Sequence, residues 1–189
     1  MIRGRAFGAA ISLVMIGGLV GCVAPAPDVP PLRDPAAAIS SQVNVTPERL
    51  AGAWVVRRSW IGDPYLSTDA AGGMAGLRIV RTPQGVRLKA QKFGIDAAKR
   101  ASFLPFAADL RTSGPGRFEE TGGQAFGGAA LWVLWMDADD RTVAIGTPNG
   151  RFGWIMDRKA TGGQDRIKAA SDIMEWMGYD LSKAQRAEQ

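Results

Sequence analysis

The chain has 189 residues, of which 46% are hydrophobic and 22% are charged, and its formal net charge is +5. This length and apolar content suffice for one domain whose core needs no disulfide or metal, and the scattered basic residues disfavour nucleic acid as a partner. Histidine is absent, which removes the commonest general base, the usual catalytic triads and most zinc sites, so we predict no enzyme, no metal and no cofactor.

Residues 1–21 have the pattern of a secretory signal peptide. Arg3 and Arg5 precede an apolar run, Ala6 to Val20, that is too short to span a bilayer. Without these two arginines the chain keeps 21 basic residues against 18 acidic ones. We therefore expect a mature protein with only a small positive charge.

Cys22 is the only cysteine of the chain, and it completes the sequence Leu-Val-Gly-Cys directly after the apolar run. This order resembles the bacterial lipobox, in which the signal is cut before the cysteine and the cysteine sulfur receives a diacylglycerol. The resemblance implies lipidation of Cys22 and, because Val23 stands where an aspartate would favour retention, anchoring at the periplasmic face of the outer membrane. An ordinary buried thiol is the alternative, since free cysteines are usually buried.

Residues 22–45 are predicted to form the lipidated cysteine and an extended tether. Five prolines lie between residues 25 and 35, a composition that favours unpaired backbone. A disordered terminus without a spacing role is the alternative. Thr46 and Pro47 suit the N-cap and the first position of a short helix, so the folded domain is predicted to span residues 46–189.

Eight short apolar segments then alternate with turn residues, which predicts an antiparallel all-β domain. Turns are expected at residues 83–85, 137–140 and 148–150. The three aspartates of the second turn could suggest a cation site, but a polar hairpin turn is the simpler interpretation. The predicted strands are Ala53–Trp60, Leu77–Arg81, Val86–Phe93, Arg100–Leu110, Arg117–Thr121, Ala129–Met136, Arg141–Gly146 and Phe152–Arg158.

One amphipathic helix is predicted from Gln164 to Met177, with Gly178 as its stop. Its apolar stripe should pack against the sheet, because the strand over residues 131–136 is apolar on both faces and must be covered on both. A membrane-surface or partner-binding face is the alternative. The stripe consists of Ile167, Ala170, Ile173, Met174 and Met177.

Three groups of residues resemble the bacterial outer-membrane lipocalins. They are Gly52-Ala53-Trp54, Thr147-Pro148-Asn149 and the segment from Trp154 to Arg158. The resemblance implies a lipocalin-like, eight-stranded antiparallel up-and-down barrel with one C-terminal α-helix packed on the outside. It also implies a structural signature of Gly52, Trp54 and Arg158, in which the indole plugs the closed end and the guanidinium lies over it.

Such a barrel implies a site for one small hydrophobic molecule at the open end. Alternation from Trp54 puts Arg58 and Trp60 on the same interior face, and we expect Trp154 to point inward with Phe93 and Trp132 opposite it. We hypothesise that Arg58 pairs with the carboxylate or phosphate of a fatty acid or lysophospholipid while the aromatic side chains bury its tail. The aromatic side chains could instead fill a closed core, and Arg58 could be a solvated charge at the rim. The predicted ligand-binding residues are Arg58, Trp60, Phe93, Trp132 and Trp154.

The sequence therefore favours a membrane-anchored lipocalin that binds or carries small hydrophobic ligands in the bacterial envelope. An envelope structural or assembly lipoprotein, with a filled barrel and a protein partner, is the alternative. A lipid isomerase or hydrolase is disfavoured, because residues suited to proton transfer are few and Cys22 is expected outside the barrel.

Overall fold

The computed structural model describes residues 31–60, 73–94, 102–122, 126, 128 and 130–186. Within these ranges no helix has the length and apolar content needed to cross a membrane. The signal peptide, Cys22 and residues 23–30 lie outside the described residues, so what was expected of them stays a prediction.

The described residues form two α-helices, nine β-strands and one 3-10 turn; the eight predicted strands and the predicted helices appear in the expected order, and the 3-10 turn and the last strand were not predicted. The fold class is confirmed: the strands form an antiparallel barrel with the C-terminal helix packed against it. The helices are Pro47–Leu50 (α1) and Gln164–Trp176 (α2), the 3-10 turn is Leu181–Lys183, and the strands are Gly52–Trp60 (β1), Gly73–Thr82 (β2), Gly85–Gly94 (β3), Ser102–Gly114 (β4), Arg117–Glu120 (β5), Ala130–Met136 (β6), Thr142–Gly146 (β7), Gly153–Asp157 (β8) and Gln185–Arg186 (β9).

The strand β4 is longer than predicted and passes through Pro105. It ends at Gly114, whereas the apolar pattern ended at Leu110. The register between β3 and β4 shifts between Lys89 and Gln91, at the level of the proline. Pro105 therefore lies where the ladder of hydrogen bonds is already interrupted, and its missing N–H does not end the strand.

The barrel closes because β1 pairs with both of its neighbours. Each strand from β2 to β7 pairs with the next one along the chain, and β1 pairs with β8 on one side and with β2 on the other. The β1–β2 pairing covers only Gly52 to Val55, and β9 pairs with Arg58 and Ser59 farther along β1. The C-terminal tail thus covers part of the β1 edge that β2 leaves open.

The two ends of the barrel differ, and we call the end where β1 begins the base and the end where it finishes the rim. The base carries α1, whose Thr46 hydroxyl accepts a hydrogen bond from the N–H of Arg49, as the predicted N-cap requires. Leu50 and Val45 are buried in the interior there. Side chains therefore close the base, and the connections after β1, β3, β5 and β7 lie at the rim.

Buried side chains form two layers, an interior cluster inside the barrel and an outer layer between the barrel and α2. Strand residues alternate between the two layers, which is the pattern of a half-covered barrel wall. The interior cluster comprises Val45, Leu50, Trp54, Val56, Leu77, Ile79, Val86, Leu88, Ala90, Ala108, Leu110, Phe118, Phe126, Leu131, Val133, Met136, Val143, Ile145, Phe152, Trp154 and Met156. The outer layer comprises Trp60, Leu134, Ala144, Ile155, Ile167, Ala170, Met174, Met177 and Tyr179.

The helix α2 is attached to the barrel by its apolar stripe and by a buried ion pair. Ile167 and Met174 are buried in the outer layer, as expected. Arg166 Nη2 lies 2.9 Å from Oδ2 of Asp157, and the hydroxyl of Thr142 donates to the same oxygen at 2.6 Å. The hydrogen bond to Asp157 raises the pKa of Arg166.

The predicted domain boundary at residue 46 is wrong, because residues 31–45 pack on the barrel. Arg33 is only 2% exposed. Its guanidinium donates to the carbonyl groups of Met177 and Pro148 at 2.9 and 2.8 Å. The folded domain therefore begins before the predicted end of the tether.

The same segment runs along the outside of the barrel from the rim to the base. At the rim, the N–H of Leu32 donates to the carbonyl of Gly150 at 2.8 Å. Nearer the base, the N–H of Gln42 donates to the carbonyl of Val133, and the Gln42 amide exchanges hydrogen bonds with the backbone of Met136. Gln42 thereby provides hydrogen-bond partners for backbone groups of β6 that lie beyond the pairing of β6 with the short strand β5.

Candidate functional site: the barrel interior

Trp54 and Arg158 meet at the base. Trp54 is fully buried, and the guanidinium carbon of Arg158 lies 3.5 Å from the centre of the indole ring. The guanidinium also donates to three backbone carbonyl groups, those of Arg49, Ala53 and Asp140, at 3.0 to 3.1 Å. Burial lowers the pKa of Arg158, and the neighbouring carboxylates oppose that shift. This arrangement seals the base, which leaves the rim as the side from which a ligand would enter.

Gly52 is part of the same contact. Its φ of +116° lies in a region that side-chain-bearing residues rarely adopt, and a Cβ atom there would lie 2.7 Å from Nη1 of Arg158. The glycine of the Gly-x-Trp signature therefore leaves room for the arginine that covers the tryptophan.

A bulge in β1 changes which of its side chains face the interior. Val56 lies opposite Met156, but the next pair toward the rim is Arg58 with Ile155, so Arg57 is an extra residue. Met156 belongs to the interior cluster and Ile155 to the outer layer. Residues of β1 beyond the bulge are therefore on the opposite face from that given by simple alternation.

The predicted inward placement of Arg58 and Trp60 is wrong for this reason. Nη1 of Arg58 donates to the hydroxyl of Ser171 on α2 at 2.8 Å. Trp60 lies in the outer layer, where its Nε1 donates to the carbonyl of Asp180 at 2.7 Å. Neither side chain lines the interior, and Ser59 takes the inward position between them.

Trp60 instead supports Tyr179, which joins the C-terminal segment to the rim. The two ring centres are 5.6 Å apart in an edge-on arrangement. The Tyr179 hydroxyl accepts from the N–H of Thr147 at 2.8 Å and donates to the carbonyl of Phe152 at 2.9 Å. Burial raises the pKa of Tyr179, and the hydrogen bonds with Thr147 partly offset that shift.

The predicted inward placement of Trp132 is also wrong. Leu131 and Val133 belong to the interior cluster, so Trp132 between them faces outward. The guanidinium carbon of Arg117 lies 4.2 Å from the centre of its ring. Because β6 is apolar on both faces, its alternation does not reveal which set of residues points inward.

The other two predicted ligand-binding residues are Trp154 and Phe93. Trp154 is fully buried in the interior cluster, on the face where it was expected. Phe93 lies in β3 opposite Met74, and its side chain is outside the described part of the structure. Contact of either residue with a ligand stays a prediction.

An aromatic cluster of Phe126, Phe152 and Trp154 lies inside the barrel below the rim. The ring centres are separated by 4.9 Å, 5.4 Å and 5.7 Å. The carboxylate of Glu120 accepts hydrogen bonds from the backbone N–H groups of Phe126 and Gly128, which holds the β5–β6 connection in place. The rim side of the interior therefore offers flat apolar surfaces to a ligand.

Two polar atoms in this region have no hydrogen-bond partner among the described residues: Oγ of Ser59 and Nε1 of Trp154. Both residues are completely buried. They lie directly opposite each other on β1 and β8, so their side chains share the interior face. An unpaired buried polar group costs about 1–3 kcal/mol, so this pair destabilises the barrel. Sequence reasoning missed Ser59 because strict alternation assigned it to the outside.

Few charged residues lie on the interior wall. The interior side chains that the structure describes above the base include no lysine or arginine. Lys92 follows Leu88 and Ala90 at two-residue intervals on the regularly paired strand β3, and its side chain lies outside the described part of the structure. Glu120 lies opposite Leu110, which belongs to the interior cluster, so the one carboxylate that the described strands place on this face lies near the rim. The interior side chains that the structure describes therefore suit the apolar part of a ligand.

The aspartates of the β6–β7 turn hold the turn itself. Oδ1 of Asp137 accepts from the N–H groups of Arg141 and Thr142, both at 2.6 Å. Burial alone would raise the pKa of Asp137, but these hydrogen bonds and the Arg141 guanidinium together lower it. Asp139 and Asp140 form ion pairs with arginines, and the described ranges contain no group of three His, Cys, Asp or Glu residues able to hold a metal ion.

The comparisons with known proteins agree with this geometry. Residues 117–189 match the model of the lipocalin-like domain. The structure of apocrustacyanin C2 superposes with a TM-score of 0.54 at 15% sequence identity, covering 81% of this chain and 89% of that chain. The chain has a lipocalin-like fold. Apocrustacyanin C1 gives a TM-score of 0.51 at 14% identity over the same shares of the two chains, and a search of curated proteins gives no match.

The family match covers two of the three groups of residues that carry the sequence resemblance. It begins at β5 and contains the Thr-Pro-Asn turn, Arg158 and α2. The structural likeness extends over most of the chain, so the lipocalin-like fold includes strands whose sequence carries little family signal.

Proposed function

We propose that this protein is a lipid-anchored binding protein that takes a small hydrophobic molecule into its barrel. The observation that carries the proposal is a closed barrel, sealed at the base, whose described interior wall is apolar up to an aromatic cluster below the rim. Lipocalins typically bind or carry small hydrophobic molecules, and the fold supports the same role here. The lipobox-like sequence at Cys22 supports anchoring at the periplasmic face of the outer membrane.

Fatty acids and lysophospholipids remain the proposed ligand types, but with a changed position for the head group. Arg58 contacts α2, so it is not the partner of a carboxylate or phosphate inside the barrel. Among the interior side chains that the structure describes above the base, none supplies a cation, and burying an ionised head group without one is unfavourable. We therefore place any charged group of the ligand at the rim, in water, with the apolar part inside.

Binding is tested with dansylaminoundecanoic acid, an acyl chain with a fluorescent group, added to delipidated protein. We expect saturable uptake of one probe per chain with micromolar affinity, and energy transfer from tryptophan to the dansyl group. Lysophosphatidylcholine should displace the probe. Wild-type protein that is folded but takes up no probe contradicts the proposal.

A filled barrel with a structural role in the envelope is the second candidate. The contacts among Phe126, Phe152 and Trp154 favour it, because these rings already pack against one another. It predicts no probe uptake by the folded protein and a protein partner that co-purifies from membranes. The binding experiment therefore separates the two candidates.

The anchor is tested by intact mass measurement of the protein extracted from its membrane. We expect a chain that starts at Cys22 and carries the added mass of two or three acyl chains, because one chain gives only marginal membrane binding. Cys22→Ala should leave an uncut precursor without lipid. A mature chain that starts elsewhere, or an unmodified Cys22, contradicts the anchoring.

A further inference from the structure

The proposed function leaves two interior groups unexplained: the hydroxyl of Ser59 and the indole N–H of Trp154. Neither has a hydrogen-bond partner in the part of the chain that the structure describes, and both residues have no exposed surface. Most buried polar groups in proteins are hydrogen-bonded, so two unpaired ones side by side need an explanation.

Their chemistry fits one oxygen atom of a bound molecule. An indole N–H can only donate a hydrogen bond, and a serine hydroxyl can donate or accept. Ser59 and Trp154 face each other across β1 and β8 on the interior face. Because the two residues are cross-strand partners on one face, a single acceptor, such as a carbonyl or hydroxyl oxygen, could accept from both of them.

The surroundings favour an uncharged oxygen. The described rings that contact Trp154, those of Phe126 and Phe152, are apolar, and Glu120 places a carboxylate near the rim. A ligand carboxylate next to these rings would lose its hydration, and none of the described side chains in contact with Trp154 would form an ion pair with it. A carbonyl or hydroxyl oxygen needs only hydrogen bonds, which the two residues supply.

We propose that Ser59 and Trp154 form a polar subsite that binds an uncharged carbonyl or hydroxyl oxygen in the buried part of an otherwise apolar ligand. The proposal rests on the proposed function and adds the chemical class of the ligand. The aromatic rings of Phe126 and Phe152, which contact Trp154, would flank the apolar part next to that oxygen.

The test compares two probes that differ in one oxygen atom, tridecan-2-one and tridecane, each delivered from cyclodextrin and measured by competition with the dansyl probe. The wild-type protein should bind the ketone about 10-fold more tightly than the alkane, the effect of one or two hydrogen bonds. Ser59→Ala and Trp154→Phe should each reduce this preference to about 3-fold or less. Ser59→Ala removes only the hydroxyl, so it should leave the alkane affinity nearly unchanged.

Ser113→Ala and Trp176→Phe are the matched controls. Both side chains are exposed, Ser113 on β4 and Trp176 on α2, where it is 78% exposed. Both controls should keep the full preference for the ketone. Thermal unfolding identifies any variant that fails to fold. If one of the two test variants fails to fold, the other still tests the proposal.

The failures are distinguishable. Equal affinity of wild-type protein for ketone and alkane overturns the subsite and indicates that buried water satisfies the two groups, while the proposed function stands. If Ser59→Ala and Trp154→Phe lose affinity for the ketone and for the alkane equally, the two residues form an apolar wall and the polar subsite is overturned. Tighter binding of dodecanoate than of the ketone, lost in Ser59→Ala, overturns the uncharged class. If the folded wild-type protein binds none of these probes, the proposed function fails as well.

Discussion

The contacts at the base explain why the structural signature combines a glycine, a tryptophan and an arginine. Gly52 combines a positive φ with close approach of the Arg158 guanidinium, and Trp54 lies beneath that guanidinium. Sequence reasoning predicted the pair of Trp54 and Arg158 from family resemblance alone. The reason for the glycine is visible only in three dimensions, because it depends on an arginine more than a hundred positions away in the chain.

Gly52→Ala should lower the free energy of unfolding by roughly 2–4 kcal/mol, because it combines backbone strain with displacement of Arg158. Chemical denaturation measures the change. Gly122→Ala is the matched control, since Gly122 also has a positive φ but no atom within 4 Å of an added Cβ. An equal loss in the two variants would show that the contact with Arg158 contributes nothing.

The unpaired hydroxyl of Ser59 should lower the stability of the ligand-free barrel. Its hydroxyl is buried without a described partner, so Ser59→Ala should raise the free energy of unfolding of the ligand-free protein by about 1 kcal/mol. Exposed Ser113→Ala should change it by less than about 0.5 kcal/mol. A clear loss of stability in Ser59→Ala would show that the hydroxyl has a partner.

At the scale of strands and helices, the sequence predicted existence and order better than orientation. All eight predicted strands and the helix were found, because turn residues and apolar periodicity mark them locally. The predicted side-chain direction was wrong at Arg58, Trp60 and Trp132. A bulge of one residue leaves no mark in the sequence but reverses every later side chain of β1, and a strand apolar on both faces gives no sign of its inner side.

The packing of the C-terminal segment on β7 and β8 was also beyond sequence reasoning. Gly146 and Gly153 are cross-strand partners, and a Cβ on either would come within 2.8 Å of a Tyr179 ring atom or its hydroxyl oxygen. The two glycines thus form a recess into which the tyrosine fits. Nothing in the local sequence links these glycines to a tyrosine in the tail.

Tyr179→Phe should lower the free energy of unfolding by about 1–3 kcal/mol near neutral pH, because it leaves the Thr147 N–H unpaired. Burial raises the pKa of Tyr179, so the folded state holds this proton more tightly than the unfolded state, where the pKa is about 10. That contribution is complete below pH 10 and is lost as pH rises through the folded-state pKa. Denaturation from pH 8 to 11 should show a steeper alkaline fall in wild-type protein than in the variant, and parallel curves would contradict this.

For the whole molecule, the main correction concerns where the folded domain begins. The prolines between residues 25 and 35 suggested a tether up to residue 45, yet Arg33, Gln42 and Val45 make specific contacts with the barrel. Proline favours extended backbone, but it does not indicate whether that backbone is free or lies along a surface. The arginine and glutamine that fix it were not recognised as signals.

A chain that starts at residue 46 should be less stable by several kcal/mol than one that starts at residue 31, since the deletion removes buried Val45, the Arg33 contacts and the hydrogen bonds along β6. A chain that starts at residue 31 should match the mature protein. Melting temperatures of the three proteins give the comparison. Equal values for the two truncated chains would restore the boundary at residue 46.

The attachment of Leu32 and Arg33 to the β7–β8 connection has a consequence for orientation. An extended chain from Cys22 to Leu32 would reach at most about 35 Å. Leu32 and Arg33 are attached at the rim of the barrel and not at its sealed base. A lipid on Cys22 would therefore attach the barrel to the bilayer from the side of its rim. A ligand could then pass between the bilayer and the barrel interior with only a short passage through water.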